Sequence, residues 1–289
     1  MEMKYIKKVK ANLSIYTRKK TSNILEGAYY SIYKGKSMNF EDLREYIIGD
    51  NIKDIDWKAS ARSNKMLVKQ YIAEKKHNIL FILDTGKKML ADTNNFEPKK
   101  EIALMTTGTI SYIVEKHGDS IGAIFNGKEK IRYFPFQTGL YNAEKILNYY
   151  DKEIDSENNL ENLIEYVIKN IRGKSIIFII TDIQGMSSLS DKVLKKVSLK
   201  NDVMVVNISD ALMSGDKAFD VEEENYISSY ILEDTKLKEI EENLKKKMYD
   251  EASKKMKKYN IITTTVNKEK DIIENVYKLL ERRKNANIR

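Results

Sequence analysis

The stretch FILDTGKKML, residues 81–90, carries an apolar run up to Asp84, turns at Gly86 and continues into Lys87 and Lys88. An acid placed this way suits three chemistries: proton exchange in an aspartic-protease loop, phosphate cradling, or ligation of a hard cation at the edge of a parallel sheet. The first needs two carboxylates that share a proton, and the chain holds no second Asp-Thr-Gly or Asp-Ser-Gly. The second needs glycine at 81 and Ser or Thr after the lysine; Phe81 and Lys88 stand there instead. The third fits its surroundings. Asp84 ends the run NILFILD and Asp182 ends SIIFIITD, and acids from neighbouring strand ends are what Mg²⁺ uses. The same two acids equally suit capping of the helices that follow them.

The elements that must position these acids are legible from residue 78 onward. Short apolar runs at 78–84, 120–126, 175–181 and 202–208 read as strands buried on both faces, with a fifth at 259–266. Helical patterns fall between them, near 99–116, 140–150, 158–171 and 188–200. Such alternation implies an α/β fold with a doubly wound, mostly parallel sheet, whose ligands gather at the carboxyl ends of central strands. KIRYFPF, 130–136, follows a glycine turn and is expected to pair antiparallel with its predecessor. A helix at about 234–257 sets Leu237, Ile240, Leu244, Met248, Ala252 and Met256 on one stripe, and a last helix runs near 269–283.

Charge divides the chain in two. Residues 1–76 hold 17 Lys/Arg against 9 Asp/Glu, whereas the other 213 hold 34 of each. The basic excess therefore lies in the first quarter, where it suits an acidic protein surface, an anionic membrane surface or nucleic acid. Dense in turn residues and aromatics, this quarter reads as an irregular or short-stranded subdomain, 1–76, ending in a strand near 66–73 and either packed against the sheet or inserted ahead of it, with an α/β domain over 77–289. Tyrosines and lysines in YTRKK and YYSIYKGK could stack and pair with single-stranded nucleic acid, but their spacing is irregular and matches no nucleic-acid motif. With no cysteine and only His77 and His117, thiolate and histidine metal sites and a Ser-His-Asp triad lack their parts. No secretory pattern or membrane-length apolar run is present, so a cytoplasmic address without membrane insertion is expected.

The N-terminal quarter also carries Gly27, Ser31, Gly35, Phe40, Leu43-Arg44, Tyr46, Gly49-Asp50 and the unbroken octet IDWKASAR, Ile55 to Arg62. This pattern resembles domain-of-unknown-function family 58, whose fold is von Willebrand factor A-like; the strand ending at Asp84 and the later IIFIITD are similar to that family's strands. The resemblance implies a metal-site scaffold of the D-x-S-x-S type, with a later Thr and a later Asp. Asp84 and Asp182 hold the acidic positions. Gly86 and Lys88 replace both serines, and Asn158 or Asn159 falls near the Thr. Gly86 offers no side-chain oxygen. Two unit charges ~4 Å apart repel by roughly 4 kcal/mol at an effective dielectric near 20, and a divalent ion doubles that. Lys88 is therefore expected to replace the metal and neutralise Asp84 and Asp182, leaving Mg²⁺ disfavoured.

Within the motif, Asp50, Asp54 and Asp56 lie close to Arg44, Lys53 and Arg62. Two readings stand: a charged network fixing the segment against the sheet, or a partner-binding face. Trp57, the sole tryptophan, is read as a core anchor. Nothing assembles a nucleophile, base and oxyanion site. The family resemblance implies a non-catalytic adaptor for a MoxR-type AAA+ ATPase or a client protein, contacting it through loops 84–89, 156–160 and 182–187. The alternatives are a Mg²⁺-dependent hydrolase using Asp84 and Asp182, and nucleic-acid binding by the basic quarter.

Overall fold

The computed structural model describes residues 3–17, 21–33, 40–71, 76–154, 159–211, 218–220, 225–227 and 235–286. Two helices open the chain, α1 (Lys4–Thr17) and α2 (Thr21–Tyr33). A two-stranded antiparallel excursion follows: β1 (Phe40–Glu45), the short helix α3 (Trp57–Ser63) and β2 (Leu67–Tyr71). The main body then runs β3 (Asn78–Leu83), α4 (Lys99–Lys116), β4 (Ser120–Asn126), β5 (Ile131–Gln137), α5 (Leu140–Glu153), α6 (Leu160–Asn170) and β6 (Ile176–Thr181). It continues with α7 (Ile183–Ser188), α8 (Asp191–Ser198), β7 (Asp202–Ile208), the small pair β8 (Ala218–Asp220) and β9 (Asn225–Ile227), α9 (Thr235–Lys258), β10 (Ile262–Val266) and α10 (Ile272–Ala286).

Six strands form one sheet in the order β10-β7-β6-β3-β4-β5, parallel except for the β4–β5 pair. The doubly wound α/β architecture follows from the strand sequences. Alternate residues of β3 feed opposite layers: Ile79, Phe81 and Leu83 join the core under α1, α4, α5 and α10, while Leu80 and Ile82 join the core under α6, α7 and α8. Apolar residues at every position are what a strand covered on both faces requires. From β3 the chain crosses to β4 on one side, and from β6 to β7 on the other. The strand order thus reverses between β3 and β6, the two strands that deliver Asp84 and Asp182.

The first quarter departs from the short-stranded subdomain expected for 1–76. Residues 4–17 and 21–33 are helical and belong to the main core: Tyr5, Ile6, Val9, Leu13 and Tyr29 are buried in the layer of α4 and α5. Glu144, fully buried, accepts hydrogen bonds from the Tyr5 and Ile6 amides at 3.1 and 2.9 Å, so a carboxylate meets the positive end of α1. Tyr29 donates to Asp119 at 2.6 Å and ties down α2. Within the first quarter, the excursion from β1 to β2 stands as a small unit with its own sheet.

The stripe expected on α9 also needs correction. Ala252 and Met256 are buried, but Ile240, Leu244 and Met248 are 54%, 56% and 40% exposed. A 24-residue helix extends about 36 Å, while strands of this sheet reach about 20 Å. The helix outruns the surface it covers.

Candidate functional site

Asp84 and Asp182 come together at the carboxyl edge of the sheet, both fully buried. The Asp84 carboxylate accepts from Thr181 Oγ1 at 2.5 Å and from the Gly86 amide at 3.0 Å. Its backbone is pinned from both sides: the amide donates to Ile180 and the carbonyl accepts from Tyr150 Oη at 2.8 Å. Asp182 is the N-cap of α7, accepting from the Gly185 amide at 2.9 Å. Capping and charge pairing are therefore not alternatives here; one carboxylate does both.

The ammonium of Lys88 sits between the two acids, 3.2 Å from Asp84 Oδ2 and 2.8 Å from Asp182 Oδ1. It rises from a single 3₁₀ turn, Lys87–Leu90, begun by Gly86. Burial opposes the charged form of Lys88, but Asp84 and then Asp182 outweigh it, and its pKa lies above the ordinary lysine value. Asp182 responds in kind: burial pushes it up, yet Lys99 and Lys88 together hold it below the ordinary carboxylate value.

A second lysine completes the cluster and was not foreseen. Lys99, buried at the start of α4, donates to Asp182 Oδ2 at 3.0 Å and pairs with Asp210. Asp210 lies just beyond β7 and shares this one cation with Asp182. Burial raises its carboxyl pKa, Lys99 opposes, the Asp182 charge adds to the rise, and the net shift is upward. The signal for Asp210 was present, since it follows an apolar strand as Asp84 and Asp182 do. Lys99 gave none: a lysine opening an amphipathic helix reads as solvated.

Close packing holds the arrangement. Gly185 passes so near Thr181 that an added Cβ would lie 1.9 Å from Thr181 Oγ1 and 3.0 Å from Asp84 Oδ2. Thr85 turns away and donates to the Asn126 carbonyl. Of the remaining positions, Asn158 lies outside the described residues, and Asn159 caps α6 by accepting from the Asn162 amide.

The motif residues lie apart, on the excursion. Arg44 grips Asp50 through two hydrogen bonds of 2.6 Å, and Asp50 also accepts from the Ile47 amide; the Arg44 contact holds the Asp50 pKa down to about 2. Gly49 closes this turn at a φ of +111°, where a side chain would strain the backbone. Asp56 caps α3 by accepting from Lys58 and Ala59. The described pairs of this network link the hairpin to itself rather than to the main sheet. Trp57 is not a core anchor: it is 64% exposed. Ile55 and Val68, bridged to each other, fill the interior of the small unit, which is too slight to enclose an indole.

Comparison with known proteins places this geometry in context. Residues 42–215 match the family described as "Protein of unknown function DUF58". The chain is 22% identical over 135 residues to an uncharacterized protein of Mycobacterium tuberculosis, spanning 47% of this chain and 42% of that one. It is 29% identical over 108 residues to the uncharacterized protein YeaD of Bacillus subtilis, spanning 37% and 25% respectively. It thus covers less than half the length of these curated relatives. Among solved structures, the conserved hypothetical protein BatB of Bacteroides thetaiotaomicron aligns over 72% of this chain and 98% of its own, at 17% identity and a TM-score of 0.46. A von Willebrand factor type A protein of Catenulispora acidiphila aligns over 73% and 43%, at 8% identity and a TM-score of 0.40. With the matched region covering more than half of its length, the chain belongs to the DUF58 family.

Proposed function

We propose that this chain is a non-catalytic binding module whose sheet-top loops contact a protein, and in which the Lys88 ammonium stands where a divalent cation would bridge Asp84 and Asp182. One observation carries this reading: a single amine reaches both strand-tip carboxylates, at 3.2 and 2.8 Å. The residues present do not suit a cation. Gly86 contributes an N–H that donates to Asp84, not an oxygen, and Lys88 and Lys99 hold both Asp182 oxygens. A hard cation takes about six oxygen ligands, waters included, and an ammonium already bonded to the same carboxylates competes for those oxygens and repels its charge. Nor does the cluster hold a group free to attack a substrate, since its carboxylates are committed to internal partners.

The partner proposed is a MoxR-type AAA+ ATPase, or a client protein brought to one, as the family resemblance implies. In the cytoplasm such a module would act as an adaptor. Calorimetric titration of the full chain with Mg²⁺ and Mn²⁺ is expected to show no saturable heat at millimolar metal. Tight binding that vanishes in Asp84→Asn would overturn the internal-cation reading. Phosphoester hydrolysis that requires metal and Asp182 would replace it with an enzyme.

A further inference from the structure

The IDWKASAR excursion has an apolar surface that its own fold leaves uncovered. Five of the thirteen exposed large apolar side chains among the described residues fall within positions 47–66. They are Ile47 at 65%, Ile48 at 96%, Ile52 at 64%, Trp57 at 64% and Met66 at 48% exposed. Isolated exposed apolar residues are ordinary, whereas a concentration of them marks a contact surface. Backbone pairing draws three of the stretches together. The Tyr46 amide donates to the Met66 carbonyl, bringing the stretch that carries Ile47 and Ile48 alongside Met66. The Asp56 amide donates to the Leu67 carbonyl, setting Trp57 next to the same segment.

The charges around this surface are sorted. Three of its carboxylates have partners within the unit: Glu45 with Lys65, Asp50 with Arg44, and Asp56 at the start of α3 and near Lys69. Lys53, Lys58 and Arg62 form no ion pair among the described residues, and Asp54 is the one acid similarly left over. Residues 44–69 therefore hold six basic and four acidic groups, with the surplus cations alternating along the chain with the exposed apolar residues. We infer that this surface docks an acidic protein segment, one with carboxylates flanking aliphatic or aromatic anchors. A lipid surface fits less well. Charge-driven recognition of anionic membranes takes clusters of roughly four to eight Lys/Arg, and the unit offers three that are spread out and neighboured by Asp54. Short-range pairing with individual carboxylates needs no large net charge, and an exposed tryptophan is a frequent energetic centre of protein contacts. This surface is separate from the strand-tip cluster, so either assignment can fail without the other.

Trp57 is the only tryptophan beside eighteen tyrosines, so emission excited selectively at tryptophan reports on this surface of the chain. The experiment places a photo-crosslinking amino acid at position 57 of the full chain, expressed in the source organism, with Tyr141 (60% exposed) as control position. The captured protein is identified, purified and titrated against the wild type, Ile48→Ser and Lys58→Glu. Thermal melts confirm that both variants remain folded. Expected are a blue shift of Trp57 emission, a Kd weakened about tenfold by each substitution, and further weakening as salt rises. The inference is overturned if position 57 captures nothing beyond the control, if neither substitution weakens binding, or if the captured surface is basic or uncharged. It is equally overturned if phosphatidylglycerol vesicles alone shift the emission, or if sedimentation shows the patch pairing two copies of this chain.

Discussion

Replacing Lys88 by Met tests the centre of this structure, because it removes the charge while keeping most of the volume. The two attractions at 3.2 and 2.8 Å amount to about 5 and about 6 kcal/mol gross at an effective dielectric near 20. Desolvation of the ammonium offsets much of this. Removing one member of a buried ion pair typically costs about 3–5 kcal/mol, since the other charge is left uncompensated. Lys88 is a quarter exposed, and Asp182 keeps Lys99. The lower end, about 3 kcal/mol, therefore applies, with solvent screening counted. For a domain of this size that lowers Tm by roughly 5 °C. Urea and thermal unfolding of the wild type, Lys88→Met, Asp84→Asn and the double variant at neutral pH give the full cycle. The double variant is expected to be more stable than the sum of its singles implies, by about 1–2 kcal/mol, because the stranded Asp84 charge is gone. A Lys88→Met protein within about 0.5 kcal/mol of the wild type, the usual range of a neutral surface change, would refute the reasoning; so would strictly additive singles.

Gly185→Ala should lower stability by about 3 kcal/mol through overpacking, because its methyl would enter the Thr181–Asp84 contact; an unchanged urea midpoint would show that α7 can shift aside. Stability against pH should be flat-topped. Asp182, with a folded-state pKa below 3.8, contributes stability in full above that unfolded value and loses it as pH falls through the folded one. Lys88, with a folded-state pKa above 10.5, contributes in full below 10.5 and loses it as pH rises through its folded value. Asp210 runs the other way on the acid side, since its raised pKa makes protonation favour the folded state. In Lys88→Met the alkaline decline should shrink, which urea midpoints measured across pH will show; an unaltered alkaline limb would assign that decline to other groups.

Periodicity and residue type made the sheet legible before any coordinates. Runs such as NILFIL and IIFIIT are apolar at every position, and only a strand covered on both faces tolerates that. The antiparallel β4–β5 pair followed from its glycine turn, and the pairing of Asp84 with Asp182 followed from each acid's place at a strand end. What could not be read was distant. No local pattern says that Lys99, from the helix after β3, turns inward to meet acids from β6 and β7. Nor could composition tell that α1 and α2 bury Tyr5 and Tyr29, because their partners Glu144 and Asp119 lie 139 and 90 residues away.

By itself, the sequence determined the alternation of strands and helices and the two strand-tip acids, since both depend on neighbours along the chain. Tertiary structure alone decided which cations meet those acids, and that Trp57 faces outward. The physical reason is the same in each case: charge neutralisation and burial depend on distance in space, and a lysine or an indole has the same local signature whether it ends in a core or on a surface.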